Sequence, residues 1–148
     1  MSKRTVEVGE IVLIPVGNEF VPAKVLYLSQ RYKNVILLGI YSLRTSLKKC
    51  PQTLPVGFGL TVYTSQDPVL KNRWISIGHQ PLLTGQEGVA KRIVGGDVWL
   101  GDQHLGPASE NDRRNLPQME VLGAGLVEKK AGETAAKLSD EKRVGHNY

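Results

Sequence analysis

The chain of 148 residues carries a formal net charge of +5, with 41% hydrophobic residues, 16 glycines and 8 prolines. This length predicts one domain with its own core, and the many turn-forming residues beside short β-branched runs favour a β-rich fold. The single cysteine excludes an intramolecular disulfide, and no apolar run reaches the length of a membrane-spanning helix. We therefore expect a soluble, cytoplasmic protein without a signal peptide.

Residues 8–42 predict three consecutive antiparallel strands. The first two are separated by a turn at Gly17 and Asn18, and the third follows a polar turn at residues 29–34. Gly39 within the third strand predicts a β-bulge that bends the sheet. A curved meander of this kind is typical of small SH3-like barrels.

Further short elements are predicted up to residue 100. Residues 43–59 predict a long loop, and residues 60–65 a strand. Another strand is predicted within residues 74–82, beginning at Trp74 and stopped by Pro81. Residues 91–94 and 97–100 form the clearest hairpin, because Gly95 and Gly96 match a two-residue primed turn.

The remainder predicts a loop, a helix and a final strand. The loop at residues 101–106 presents an exposed acid and an imidazole. Residues 107–116 predict a short helix capped by Ser109, with acids in its first turn and arginines in its last. Residues 119–122 predict a strand, and residues 126–127 an edge return.

The predicted fold is mainly β, with a small curved antiparallel sheet or an SH3-like barrel and one or two short helices. Residues 1–128 form a single β-rich domain in this interpretation. Residues 129–148 form a polar C-terminal tail that permits a short docked helix, since isolated helices of this length are marginal in water.

Three segments carry a resemblance to a known family. They are the opening strand with Gly9, Glu10, Ile14 and Pro15, the second strand with Ala23, Lys24, Val25 and Leu26, and a later segment with Trp74, Ile77, Gly78, His79, Pro81 and Leu82. Together they resemble the immunity protein 26 family of bacterial polymorphic and contact-dependent toxin systems. The resemblance covers about residues 8–82, and Glu10 stands where Asp is more usual.

The resemblance implies a compact β-barrel-like protein that binds and neutralises a cognate toxin domain. It implies no reaction of its own, so we predict no catalytic residue, no cofactor and no metal. Immunity proteins meet their toxins through variable surfaces, and the family therefore supplies no binding residues to transfer.

The charge distribution suggests where a partner binds. Residues 1–80 carry ten Lys and Arg against four Asp and Glu, whereas residues 81–128 carry four against seven. Acids facing a basic toxin cleft would speed association. We therefore predict a partner-binding site formed by Asp97, Trp99, Asp102, His104, Glu110 and Asp112.

A nucleic-acid-binding module of SH3-like or OB-like type is the alternative. Its basic barrel rim would consist of Lys24, Arg31, Lys33, Arg44, Lys48 and Lys49, with Tyr32, Tyr41 or Phe58 as stacking groups. Aromatic residues make up only 6% of the chain and do not alternate regularly with the basic ones. This pattern makes nucleic acid the less favoured partner.

Other sites are disfavoured by spacing and context. His79 and His104 lack an acid or cysteine at zinc-ligand spacing, so His79 is interpreted as a hydrogen-bonding group at a strand end. Cys50 beside a proline is interpreted as a loop thiol rather than a nucleophile. Trp74 is predicted to lie in the core, while Trp99 fits the core and a partner contact equally well.

Overall fold

The computed structural model describes residues 5–30, 32–49, 51, 53–86 and 91–145, with side chains described up to residue 135. The described residues form these elements in chain order: β1 (Glu10–Val16), β2 (Glu19–Leu28), β3 (Val35–Ile40), β4 (Leu60–Ser65), α1 (Asp67–Leu70), β5 (Ile75–His79), β6 (Lys91–Val94), β7 (Asp97–Leu100), β8 (Gln103–Pro107), α2 (Glu110–Asn115), β9 (Val121–Leu122) and α3 (Ala124–Gly145). The mainly β class and the predicted three-stranded meander are confirmed.

The main sheet has the strand order β5-β1-β2-β3-β4-β9. Its neighbours are antiparallel except β9, which runs parallel to β4. In the described part of the chain β5 and β9 do not pair with each other, so the sheet is open. Of the two predicted alternatives, a small sheet and an SH3-like barrel, the structure has the sheet. On edge strand β5, Ile77 is an extra residue, because Ile11 and Val12 of β1 face Gly78 and Ser76.

Helix α3 covers one face of this sheet. Val127 and Ala131 of the helix are fully buried against apolar side chains such as Val12 and Val25. Gly132 lets the helix lie close to the sheet, because a Cβ at this position would come within 2.9 Å of a Val16 methyl group.

Trp74 closes the same core, as predicted. Its ring is fully buried, and its Nε1 donates a hydrogen bond to Glu128 Oε2 at 3.0 Å. Arg73 donates to both oxygens of this carboxylate, from Nε at 2.9 Å and from Nη2 at 2.7 Å. The hydrogen bonds from Arg73 hold the pKa of Glu128 below its ordinary value of 4.5. One carboxylate thus attaches α3 to the segment that precedes β5.

The second sheet has the strand order β6-β7-β8 and packs against the opposite face of the main sheet. Leu26, Leu37 and Tyr63 are buried there, and Leu100 of β7 packs against them. The molecule therefore has three layers: helix, main sheet and second sheet.

The bulge predicted at Gly39 is wrong. Gly39 pairs with Lys24 on one side and Thr61 on the other, and the irregular residue is Leu26 in β2. The glycine is required by Phe58, because a Cβ at position 39 would lie 2.5 Å from atoms of that ring. Close packing of a ring on the backbone explains this glycine.

The predicted hairpin and its following helix are confirmed. Gly95 and Gly96 have φ of 59° and 99°, which matches the primed turn. Helix α2 begins at a capping box, in which Ser109 Oγ accepts from Asp112 N and Asp112 Oδ2 accepts from Ser109 N, each at 3.0 Å.

Two other downstream predictions are wrong. Residues 103–107, predicted mostly as loop, form β8, because Gly101 with φ of 60° reverses the chain and the backbone then pairs with β7. Residues 126–127, predicted as an edge return, lie in α3, which buries Val127, Ala131 and Ala135 at helical spacing and crosses the predicted boundary at residue 128. Within the described ranges, no helix combines the length and apolar character needed to cross a bilayer.

Candidate partner-binding site

Three side chains lie in a row across the second sheet. Arg92 of β6 pairs with Trp99 of β7, and Trp99 pairs with His104 of β8. The ring centroids of Trp99 and His104 are 5.0 Å apart. His104 Nε2 lies 3.0 Å from Asp97 Oδ2. The row therefore passes from a buried guanidinium to an exposed imidazole and carboxylate.

Leu105 is the extra residue of a β-bulge beside this row. Val98 and Trp99 are adjacent in β7, yet they face Gly106 and His104 in β8. The Leu105 side chain is 45% exposed. Bulges at sheet edges commonly re-aim a side chain in this way. The β7–β8 surface is defined here as Asp97, Trp99, His104 and Leu105.

Tyr32 extends the aromatic part of this region. It is exposed, and it lines one small depression together with Val94 and Trp99. The sequence interpretation missed Leu105 altogether and considered Tyr32 only as a base-stacking group. Neither position has a distinctive motif, because their proximity to Trp99 depends on the register of β7 and β8 and on the docking of the second sheet.

Asp102, predicted as an exposed acid, instead holds the β7–β8 turn against β2. Its Oδ2 accepts from the Tyr27 hydroxyl and from Gln30 N, both at 2.7 Å, and its Oδ1 accepts from Ser29 Oγ at 2.9 Å. Burial, and then the hydrogen bond to Asp102, raise the pKa of Tyr27. A Cβ at Gly101 would lie 2.7 Å from the Tyr27 ring, so glycine permits this approach.

The two predicted acids of α2 also have local partners. Asp112 is the third helical residue of the capping box that begins at Ser109, and its backbone and side-chain hydrogen bonds with Ser109 lower its pKa. Glu110 Oε1 lies 3.7 Å from Arg114 Nη2, one helical turn away. Of the six predicted residues, the structure brings together Asp97, Trp99 and His104, while Asp102 and Asp112 are engaged in structural hydrogen bonds.

Arg92 joins the row to the main sheet. Its Nη2 donates to Thr61 Oγ1 at 2.9 Å, and its guanidinium lies 5.3 Å from the centroid of the Tyr63 ring. Burial lowers the pKa of this guanidinium, and the Tyr63 hydroxyl, when ionised, opposes that shift. Arg92 and Asp102 therefore attach the second sheet to the main sheet at two separate points.

No family model, curated protein or solved structure matches this chain. The resemblance to the immunity protein 26 family stays a prediction.

Within the described residues, no group of three or more His, Cys, Asp or Glu side chains could hold a metal ion. His79 Nε2 lies 3.0 Å from the Val8 carbonyl oxygen, which confirms its interpretation as a strand-end hydrogen-bonding group. Cys50 lies outside the described residues.

The nucleic-acid alternative loses two of its expected contact residues. Lys24 and Tyr41 are fully buried, so neither can touch a nucleic acid in this conformation. Arg44 is partly engaged within the chain, since its Nη2 donates to the Gly132 carbonyl at 3.1 Å. Arg31 lies outside the described residues.

Lys24 instead lies at the centre of a buried polar network. Its Nζ donates to Gln80 Oε1 at 2.9 Å, to the Pro81 carbonyl at 2.8 Å and to Gln86 Oε1 at 2.8 Å. Burial lowers the pKa of this ammonium group. The available sequence signal was weak: β2 is only partly amphipathic, which indicates a strand covered on both faces.

Proposed function

We propose that this chain is a binding protein that neutralises a toxin domain by forming a tight complex through the β7–β8 surface, with no reaction of its own. The observation that carries the proposal is the bulge at Leu105, which is exposed and follows His104, whose ring lies at a tilt of 52° against the Trp99 ring. Apolar and aromatic anchors of this kind supply most of the energy at protein interfaces.

The supports beneath the surface favour the same role. Arg92, the register partner of Trp99, and Asp102, in the turn after β7, attach the second sheet to the main sheet. A surface held in this way loses little conformational entropy when a partner binds, and preorganisation of this kind strengthens binding. Asp97 and His104 add polar groups that can fix the orientation of the partner.

The β7–β8 surface carries little charge, so we expect its binding energy to come mainly from apolar and aromatic contacts. Asp97 provides one carboxylate, whereas Asp102 and Asp112 serve the fold. We therefore expect complex formation to depend only weakly on salt. Binding to nucleic acid would instead weaken steeply as salt rises, because counterions are released from phosphates.

The test uses the full chain and the toxin domain encoded beside its gene. Calorimetry and light scattering should detect a 1:1 complex that abolishes toxicity. Leu105→Asp should weaken the complex about tenfold or more, because it places a charge at the proposed centre of the interface. Leu126→Asp is the matched control, since Leu126 is 44% exposed and lies on α3.

Loss of binding in Leu105→Asp alone supports the proposal. Equal effects of the two variants would overturn the assignment to the β7–β8 surface. Absence of any complex with the toxin domain, together with steeply salt-dependent binding to single-stranded oligonucleotides, would overturn the proposed function in favour of the nucleic-acid alternative.

A further inference from the structure

A recess of about 310 Å³ opens beside β4, where residues 56–58 meet residues 84–86. Val56 and Phe58 contribute apolar surface, and Thr61, Thr84 and Gln86 contribute polar groups. The recess is open to solvent, because Val56 is 57% exposed. It does not include any residue of the β7–β8 surface.

The Gln86 side chain lines this recess and is held in place by hydrogen bonds. The residue is only 2% exposed. Its Oε1 accepts from Lys24 Nζ at 2.8 Å and from Leu83 N at 2.9 Å, and its Nε2 donates to the Val56 carbonyl at 2.9 Å. Burying an ammonium and an amide is costly unless they are hydrogen-bonded. Here the network fixes the orientation of the amide and joins the two loops that form the recess.

The chemistry of the lining indicates what the recess can hold. The Gln86 amide nitrogen carries two hydrogens, and among the described residues only the Val56 carbonyl uses one of them. The second hydrogen can be donated to a carbonyl oxygen. The described lining contains no charged side chain, so it favours a neutral group over an ion.

Size and openness favour a side chain over a free small molecule. Sites that bury most of a drug-sized ligand range from about 300 to 1,000 Å³. This recess is at the lower end of that range and is open on the side of Val56. One leucine-sized side chain, with its own peptide group at the rim, suits such a space.

The position of the recess connects it to the partner-binding site. Thr61 lines the recess and also accepts a hydrogen bond from Arg92. Arg92 is the register partner of Trp99. The recess and the β7–β8 surface therefore flank the same guanidinium, and one partner can contact both.

We propose that this recess accepts an apolar side chain of the protein partner, while the carbonyl of that residue accepts a hydrogen bond from Gln86 Nε2. The identity of the occupant rests on the proposed function, whereas the ability of the recess to bind such a group does not.

The probe is the capped tripeptide N-acetyl-Ala-Leu-Ala-amide, added to the ¹⁵N-labelled full chain without toxin. Saturable NMR shifts should be confined to amides of residues 56–58, 61 and 84–86. The same peptide with aspartate in place of leucine should bind at least about tenfold more weakly, since its carboxylate would lose hydration without a charged side chain in the described lining to pair with. Shifts elsewhere, or none at millimolar peptide, would overturn the proposal.

Val56→Asp should weaken the leucine peptide about tenfold by placing a charge at the rim. Leu47→Asp is the matched control, because Leu47 is 55% exposed and does not line the recess. Equal effects of the two variants contradict the site. If N-acetyl-leucinamide binds as tightly as the tripeptide, the occupant is a free small molecule, and the assignment to a protein side chain is wrong.

The failures of the two proposals are distinguishable. A toxin complex sensitive to Leu105→Asp, without any peptide shift, overturns the recess alone. Peptide binding at the recess without a toxin complex overturns the proposed function and leaves the recess as a site.

Discussion

The two faces of the main sheet are covered in different ways. Most buried side chains under α3 are apolar, and Trp74 is the largest of them. On the opposite face, three charged side chains hold neighbouring segments in place: Lys24, Arg92 and Asp102. The comparison indicates that the helix face provides stability, whereas the opposite face positions the recess and the β7–β8 surface.

The largest expected effect is at the apolar face. Trp74→Ala should lower the free energy of unfolding by about 4 kcal/mol, because it leaves a cavity in the core. Trp99→Ala should cost much less, since Trp99 is partly exposed. Chemical denaturation of both variants checks this difference. Equal losses would show that the second sheet contributes as much to stability as the helix-covered core.

Lys24→Met tests the buried network. The change leaves three carbonyl oxygens without their shared donor and should cost about 3 kcal/mol. Lys33→Met, at an exposed position, serves as the control and should leave stability nearly unchanged. Amide exchange should also accelerate at residues 80–86 in Lys24→Met. Unchanged exchange there would contradict the role of Lys24 in holding the recess wall.

Substitutions of two aspartates test which carboxylate stabilises the fold and which belongs to the proposed binding surface. Asp102→Ala removes three hydrogen bonds that join the β7–β8 turn to Tyr27 of β2 and to Ser29 and Gln30 just after it, so we expect a loss of about 2 kcal/mol. Asp97→Ala removes the same charge five residues away and should cost less than about 0.5 kcal/mol, because its contact is with exposed His104. Thermal denaturation distinguishes the two. A stable Asp102→Ala variant would make this carboxylate a surface group after all.

The smallest effect concerns pH. The folded pKa of Glu128 lies below its ordinary value, so its contribution is fully present above about pH 4.5 and is lost as the pH falls through the folded pKa. Partial exposure of the pair with Arg73 keeps this contribution small. Glu128→Gln should flatten the corresponding part of the stability profile. An unchanged profile would rule out this ion pair as its source.

Local patterns predicted the local structure well. The apolar runs of β1 to β4, the Gly95 turn and the Ser109 cap each depend on residues near in sequence, and each is confirmed. Strand β8 was missed because its side chains are mostly exposed and give no apolar alternation. Helix α3 was predicted only in part, since its alanines and glycine become a packing face only when a sheet lies beneath them.

The site was less predictable for the same reason. Three of the predicted surface residues do lie together: Asp97, Trp99 and His104. Their proximity depends on a bulge at Leu105, which no sequence motif predicts. Aspartate and lysine usually lie at the surface, so the residue types of Asp102 and Lys24 gave no indication of their contacts. Each is held by partners more than fifty positions away, and such contacts cannot be inferred from neighbouring sequence.

The bulges have a further consequence for self-assembly. Extra residues interrupt the two longest free strand edges of the described structure, at Ile77 in β5 and at Leu105 in β8, and β9 at the other edge of the main sheet is only two residues long. An interrupted edge is a poor template for the backbone of another copy. These interruptions disfavour edge-to-edge pairing between copies of the chain, even though apolar side chains such as Leu105 are exposed at its rim.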